Sequence, residues 1–207
     1  MRKLSLRRQP FNPLQQFTDR WSSCTRCPLS KNRYKVVLYR GNIPADVLFI
    51  GEAPGQSEDT LGQPFRGPAG RVLDDILRDA KSELLELNGK TFTFALTNVV
   101  CCIPEITAGD IESGDFDESS QLGIRDPTKA EAEACNPRLL EFVALVKPRL
   151  IVRLGKVSAA STADLVAEAP MRSLIHPAAI LRMENPSAQR DAFDRCVARL
   201  VKWITEL

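Results

Sequence analysis

The chain has 207 residues, 43% of them hydrophobic, enough for one sizeable core but short for two domains. Lys and Arg number 28 against 26 Asp and Glu, a formal charge of +2, so an anion-binding face must be local rather than global. The basic start, MRKLSLRRQPFNPL, lacks the apolar core of a secretory signal, and no later stretch is long and apolar enough to span a membrane. The expected setting is therefore cytoplasmic and reducing, where six cysteines are metal ligands, catalytic thiols or core residues before they are disulfides.

Taken in order, residues 1–20 read as an N-terminal arm, with a short helix near 13–21, and residues 21–207 as one domain. Cys24 and Cys27 put two thiols on one turn. Residues 46–50 are a continuous apolar run bounded by turn signals, the pattern of a buried strand. The strand runs into GEAPG, residues 51–55, and a loop lasting to Gly67-Pro68-Ala69-Gly70, where a helix opens. Its apolar positions Val72, Leu73, Ile76, Leu77 and Ala80 recur at helical spacing. Residues 93–100 form a second strand ending in Cys101 and Cys102. Residues 105–125 turn acidic and rich in Gly, Ser and Asp without a period, the signature of a surface insertion.

Thr128 followed by Glu131 is a capping box opening a helix that carries Cys135 in its first turn and ends at Pro148. Residues 149–155 form a third strand, 157–167 a short helix, 173–176 a fourth strand, and 187–207 a last helix. Strands alternating with helices predict an α/β fold, a parallel sheet with helices on both faces, whose ligand lies beyond the carboxyl ends of the strands. Three strand ends there carry chemically suggestive residues: Gly51, Glu52, Ala53, Pro54 and Gly55 after the first, Asn98 on the second, and His176 on the fourth.

Each has a plain reading beside a functional one. GEAPG is either a structural turn or a loop whose N–H groups approach a ligand, while Glu52 hangs a carboxylate at the strand exit. No Gly-Lys-Ser/Thr follows, which excludes the P-loop. Phe65 is a loop-tip anchor or an aromatic platform for a planar ligand. Asn98 is a turn cap or a reader of a base edge, since an amide offers donor and acceptor side by side. His176, the only histidine, is structural or donates to a developing anion. Among the cysteines, the CxxC, one of the adjacent pair and Cys135 make a four-sulfur set, with Cys196 left as a core thiol. Tetrathiolate sites suit zinc or an iron–sulfur cluster; the spacing is not that of paired zinc knuckles, which favours a cluster over zinc or unmetallated thiols.

The run GEAPGQSEDTLGQPFRGPAGRVLDDIL, with TNVVCCIP, DPTKAEAEAC, RLIVRLGKVSA and HPAAILR, resembles the family 4 uracil-DNA glycosylases, repair enzymes carrying a 4Fe-4S cluster. The similarity covers roughly residues 24–182 in the same order. It implies a three-layer α/β/α sandwich around a four-stranded, mainly parallel sheet, and a monomer acting on uracil-containing DNA. It implies Cys24, Cys27, Cys102 and Cys135 as cluster ligands, Cys102 rather than Cys101 because the family ligand directly precedes the Ile103-Pro104 equivalent. Residues 52–55 become the first active-site motif, Phe65 the stacking platform, Asn98 the uracil reader, Glu58 a pocket acid near the C5 edge, His176 the second motif and Arg182 a phosphate contact. Cys101 and Ile103 stand where the family commonly has basic residues, and Arg66 where it has valine. The alternative is a cluster-bearing module that binds uracil-containing or single-stranded DNA without turnover.

Overall fold

The computed structural model describes residues 12–107, 123–165 and 167–207. Residues 1–11 of the expected arm and most of the expected acidic insertion lie outside them. The strands are β1 (Arg40–Gly41), β2 (Val47–Gly51), β3 (Phe94–Asn98), β4 (Leu150–Leu154) and β5 (Met171–Leu174). The described helices are α1 (Pro13–Trp21), α2 (Gln56–Leu61), α3 (Pro68–Asn88), α4 (Lys129–Val146), α5 (Gly155–Ser161), α6 (Pro177–Leu181) and α7 (Pro186–Thr205).

The sheet runs β1-β3-β2-β4-β5, and the last four strands in that order are mutually parallel. The expected four strands are present, and the two-residue β1 adds an antiparallel edge on β3. It arises because the chain from residue 36 to 41 runs back along β3, with the Val37 N–H bonding the Cys101 carbonyl and the Asn42 N–H the Phe94 carbonyl.

Strand side chains alternate between faces, and the two faces are filled by different helices. Val47, Phe49, Leu96 and Val152 join Leu73, Ile76 and Leu77 of α3 and Val197, Leu200 and Val201 of α7 in one core. Leu48, Ile50, Ala95 and Ile151 join Phe17 and Trp21 of α1 and Leu139, Phe142 and Val146 of α4 in the other. β2 is the central strand and is buried at all five positions, as a strand covered on both faces must be. α1 therefore belongs to the folded body: Phe17 is fully buried, and the Trp21 indole donates to Glu141 of α4 at 2.8 Å.

Several local expectations shift for physical reasons. The loop after β2 contains a helical turn, α2, closed by Gly62 at φ 78°. Cys135 lies in the second turn of α4, because the helix begins at Lys129 after the Thr128 cap. α4 ends with Lys147 in the left-handed region ahead of Pro148, and Pro137 sits inside it. On α4, Leu140 is exposed while Leu139 and Phe142 are buried in the core. Phe193 is only half-buried, beneath the Arg190 guanidinium. Among the described residues no helix is long and apolar enough to cross a membrane.

The Thr128 hydroxyl accepts from the Glu131 N–H at 3.2 Å, and the Glu131 carboxylate accepts from the Thr128 N–H at 2.8 Å and from Arg125. Thr128→Ala removes half of this reciprocal cap, and urea unfolding is expected to show a loss of about 1 kcal/mol with an unchanged m-value.

Candidate active site and cysteine cavity

Residues at the carboxyl ends of β2, β3 and β4, together with His176 just past β5, meet in one place. Gly51 ends β2 opposite Asn98, which ends β3. A methyl group on Gly51 would lie 2.4 Å from Asn98 Oδ1 and 2.5 Å from Phe65 Cζ, so the amide and the ring close over the bare glycine. The Phe65 ring is 6.3 Å from the His176 ring, inclined by 32°. His176 in turn approaches Gly155, where a Cβ would stand 3.0 Å from its own. Gly155 also has φ 87°, a conformation that favours glycine. Thus Gly51, Phe65, Asn98, Gly155 and His176 share one site, and Gly155 is the member the sequence reading did not single out.

The loop after β2 is held by Glu58. Its carboxylate accepts from the N–H groups of Gly55 at 3.1 Å, Arg66 at 2.8 Å and Gly67 at 2.7 Å. Phe65, the residue before two of those donors, has φ 57°, an uncommon conformation for a bulky side chain. Its carbonyl is packed against Gly70, where any side chain would collide at 2.0 Å. The ring is buried in the core beside α3 rather than held at a loop tip. Glu58 is thereby placed as the clamp of this loop, with both oxygens committed to backbone donors.

Backbone bonds from Val99 N–H to the Gly51 carbonyl and from Val100 N–H to the Glu52 carbonyl carry the sheet past its last strand pair and fix Glu52 at the exit. Burial first, then the charge of Asp126 and a hydrogen bond with it, raise the Glu52 carboxyl to about 8 against the pull of Arg182. The Glu52 carboxyl therefore keeps its proton at neutral pH. Asp126 escaped the sequence reading, since no spacing rule brings the residue before Pro127 to a strand end 74 positions earlier. Ala53 and Pro54 follow in the same turn, and Gly55 caps α2.

His176 is the N-cap of α6, and its Nδ1 accepts from the Ala178 N–H at 3.2 Å. That bond leaves the imidazole proton on Nε2. Burial, then the charge of Arg182, lowers its pKa to about 4, so the ring is a neutral donor at physiological pH. Arg182 caps the other end of α6, within electrostatic reach of both Glu52 and His176.

On the opposite face of the sheet, Cys24, Cys27, Cys102 and Cys135 line one cavity, together with Cys101, Trp21 and the guanidinium-bearing Arg26, Arg33 and Arg138. Arg33 donates to Cys102 Sγ at 3.5 Å and Arg138 to Cys135 Sγ at 3.4 Å. A hydrogen bond from Cys101 brings the Cys135 thiol down to about 5, while burial pushes Cys102 up to about 12 and raises Cys27. Among the described residues no three His, Cys, Asp or Glu side chains converge closely enough for a single metal ion. The donor chemistry, four cavity-lining thiols of which Cys102 and Cys135 receive arginine N–H groups, fits a larger thiolate-bound group of negative net charge. Cys196 sits in the core beside α3 instead.

A sequence model of the Uracil DNA glycosylase superfamily matches residues 38–201. The chain is 35% identical over 153 residues to the Type-4 uracil-DNA glycosylase of Pyrobaculum aerophilum, a match covering 74% of this chain and 66% of the relative. It is 33% identical over 138 residues to that of Thermotoga maritima, covering 67% and 59%, and 33% identical over 145 residues to that of Saccharolobus solfataricus, covering 70% and 56%. The chain spans somewhat less than two thirds of the length of these relatives. With that match over most of its length, and with an α/β sheet flanked by helices whose carboxyl ends gather the motif residues, the chain belongs to the uracil DNA glycosylase superfamily.

Proposed function

We propose that this protein is a DNA repair glycosylase that flips uracil out of DNA and hydrolyses its N-glycosidic bond, leaving an abasic site. The observation that carries this reading is the convergence of the Asn98 amide, the Phe65 ring and the His176 imidazole around Gly51, in a chain whose relatives are named Type-4 uracil-DNA glycosylases. The protein acts as a cytoplasmic monomer on uracil-containing DNA.

A base inside a duplex is out of reach, so the nucleotide must be extruded, with the exposed Leu181 of α6 as a wedge and Arg182 near a phosphate. Phe65 stacks on the ring. Asn98 presents a donor to uracil O4 and an acceptor to N3–H, whereas cytosine sets a donor against that donor and an acceptor against that acceptor. As the bond breaks, negative charge gathers on O2, where the neutral His176 donates from Nε2 and the backbone N–H of Ala53 assists. A neutral donor suits this role, because the proton stays on the imidazole while the anion forms. Positive charge on the sugar is offset by Glu52 once it gives up its proton, and water then adds to the sugar. Glu58 holds Phe65 in place from behind and bounds the pocket toward the C5 edge, where thymine carries a methyl group.

Cys24, Cys27, Cys102 and Cys135 would hold a 4Fe-4S cluster. When bound, it cross-links the segment after α1, the end of β3 and α4, and takes no part in chemistry on the base. A second reading, binding without turnover, is favoured by the burial of Glu52 beside Asp126, which raises its carboxyl to about 8 in the free protein.

Asn98→Ala and His176→Ala are each expected to lower single-turnover release of uracil from an oligonucleotide by about 10²–10³-fold. Retention of wild-type rates in both would overturn the catalytic assignment, and a gel shift without abasic product in the wild type would select the binding reading.

The pH dependence follows from the two buried groups. The rate is expected to rise with pH through about 8 as Glu52 ionises, and this limb should vanish in Glu52→Gln. Below the ordinary histidine value of 6.5 the unfolded chain takes up a proton that folded His176 accepts only near 4. Its contribution to stability is therefore lost as pH falls through that window, and thermal melts from pH 7 to 4 should show a shallower loss in His176→Gln.

Anaerobically purified protein is expected to carry about four irons and acid-labile sulfide per chain, with broad visible absorbance. Cys27→Ala should lose that absorbance and melt at a lower temperature; stoichiometric zinc in place of iron would refute the cluster.

A further inference from the structure

α4 sends one side chain through the core to the strand that carries Asn98. Arg138 is 1% exposed and among the largest fully buried side chains of the protein. Its Nη1 donates to Thr97 Oγ1 at 2.8 Å, and its Nη2 donates to the carbonyls of Asn98 and Val99, both at 2.7 Å. The same Nη2 touches Cys135 Sγ at 3.4 Å. Its Nε has no hydrogen-bond partner. Among the described residues no carboxylate forms an ion pair with it. A buried guanidinium is costly to maintain; this one faces the Cys135 sulfur on one side and spends its remaining hydrogen bonds on the end of β3.

Those acceptors are three consecutive residues centred on Asn98. β3 ends at Asn98, and β1 pairs only with Leu96 and Ala95, so the last strand carbonyls have no ladder partner on that side. Beyond Asn98 the chain donates to the loop after β2, through Val99 and Val100 N–H. The carbonyls of Asn98 and Val99 would be left buried and unpaired without the guanidinium. Thr97 adds a second hold, its hydroxyl also donating to the Leu38 carbonyl at 2.7 Å. By holding the Thr97 side chain before Asn98 and the two peptide planes after its Cα, these bonds constrain the direction in which the Asn98 side chain leaves the strand.

We propose that Arg138 is a positioning residue for the base-reading amide: its guanidinium grips residues 97, 98 and 99 from the face opposite the pocket and sets the orientation of Asn98. The inference rests on Asn98 being the base reader. It also joins that reader, through one guanidinium, to the α4 turn bearing Cys135.

The test is a double-substitution cycle of Arg138→Lys with Asn98→Ala, read in single-turnover cleavage of a uracil-containing oligonucleotide and in calorimetric binding of free uracil. Lysine keeps the charge but supplies one ammonium in place of a fork, so it cannot hold all three residues. In the otherwise wild-type protein, kcat is expected to fall by about 10²-fold with KM for the oligonucleotide unchanged, and uracil affinity to weaken in step. In the Asn98→Ala background, Arg138→Lys should cost nothing further. Equal losses in both backgrounds, a loss confined to the melting temperature, or wild-type kcat in Arg138→Lys would each overturn the proposal. Full activity in Asn98→Ala alone would instead remove the base-reader assignment, and the positioning role with it. If Arg138→Lys lacks the near-ultraviolet circular dichroism of the wild type, Thr97→Val takes its place in the cycle. It removes one bond of the grip and should show a smaller loss with the same dependence on Asn98; losses independent of Asn98 there would also overturn the proposal.

Discussion

Gly51 has no side chain, and the pocket depends on that. At the end of the central strand, Asn98 from one side and Phe65 from above occupy the space a methyl group would need. Everything around this point serves to hold two groups in van der Waals contact over a backbone. Glu58 ties the loop down with three N–H bonds, Gly70 lets α3 approach the Phe65 carbonyl, and Gly155 makes room for His176. A planar ligand entering there meets an aromatic face, an amide edge and an imidazole already in place. Pre-organised donors of this kind act without reorganisation at the moment of reaction.

Burial also sets the charge states. The same desolvation that keeps His176 neutral keeps Glu52 protonated, and Arg182 acts on both: it lowers the histidine further and partly relieves the carboxyl. Glu52 thus has a protonation state unlike its ordinary one at neutral pH, while His176 loses the small cationic fraction an ordinary histidine keeps there. A neutral imidazole can donate to an anion without losing its proton, whereas a protonated carboxyl must first release one to balance a cation.

β3 is the member of the sheet that works on both faces. Asn98 follows Phe94 and Leu96 toward the α3 side, and Thr97 points toward the α4 side, where Arg138 meets it. The cysteine cavity lies on that second face, at the turn after the same strand. The two sites are therefore back to back, separated by little more than the backbone of residues 97–102, and one buried guanidinium touches both.

Local pattern determined much of this protein. The apolar runs and the 3.6-residue spacing placed the parallel strands and the main helices, and Thr128 with Glu131 marked a helix start that the hydrogen bonds reproduce. Asn98, His176 and the GEAPG loop were legible as strand-end chemistry, because a parallel sheet gathers its carboxyl ends on one edge. What only the tertiary structure decided is how side chains meet across long separations: Asp126 beside Glu52, Gly155 under His176, Glu58 turned to backbone donors, and Arg138 driven into the core. An arginine at a helix position reads as a solvated charge, and a glycine at a strand end reads as a turn. Nothing in their neighbours along the chain says otherwise, since the partners that give them their roles are brought near only when the sheet and its two helical layers close.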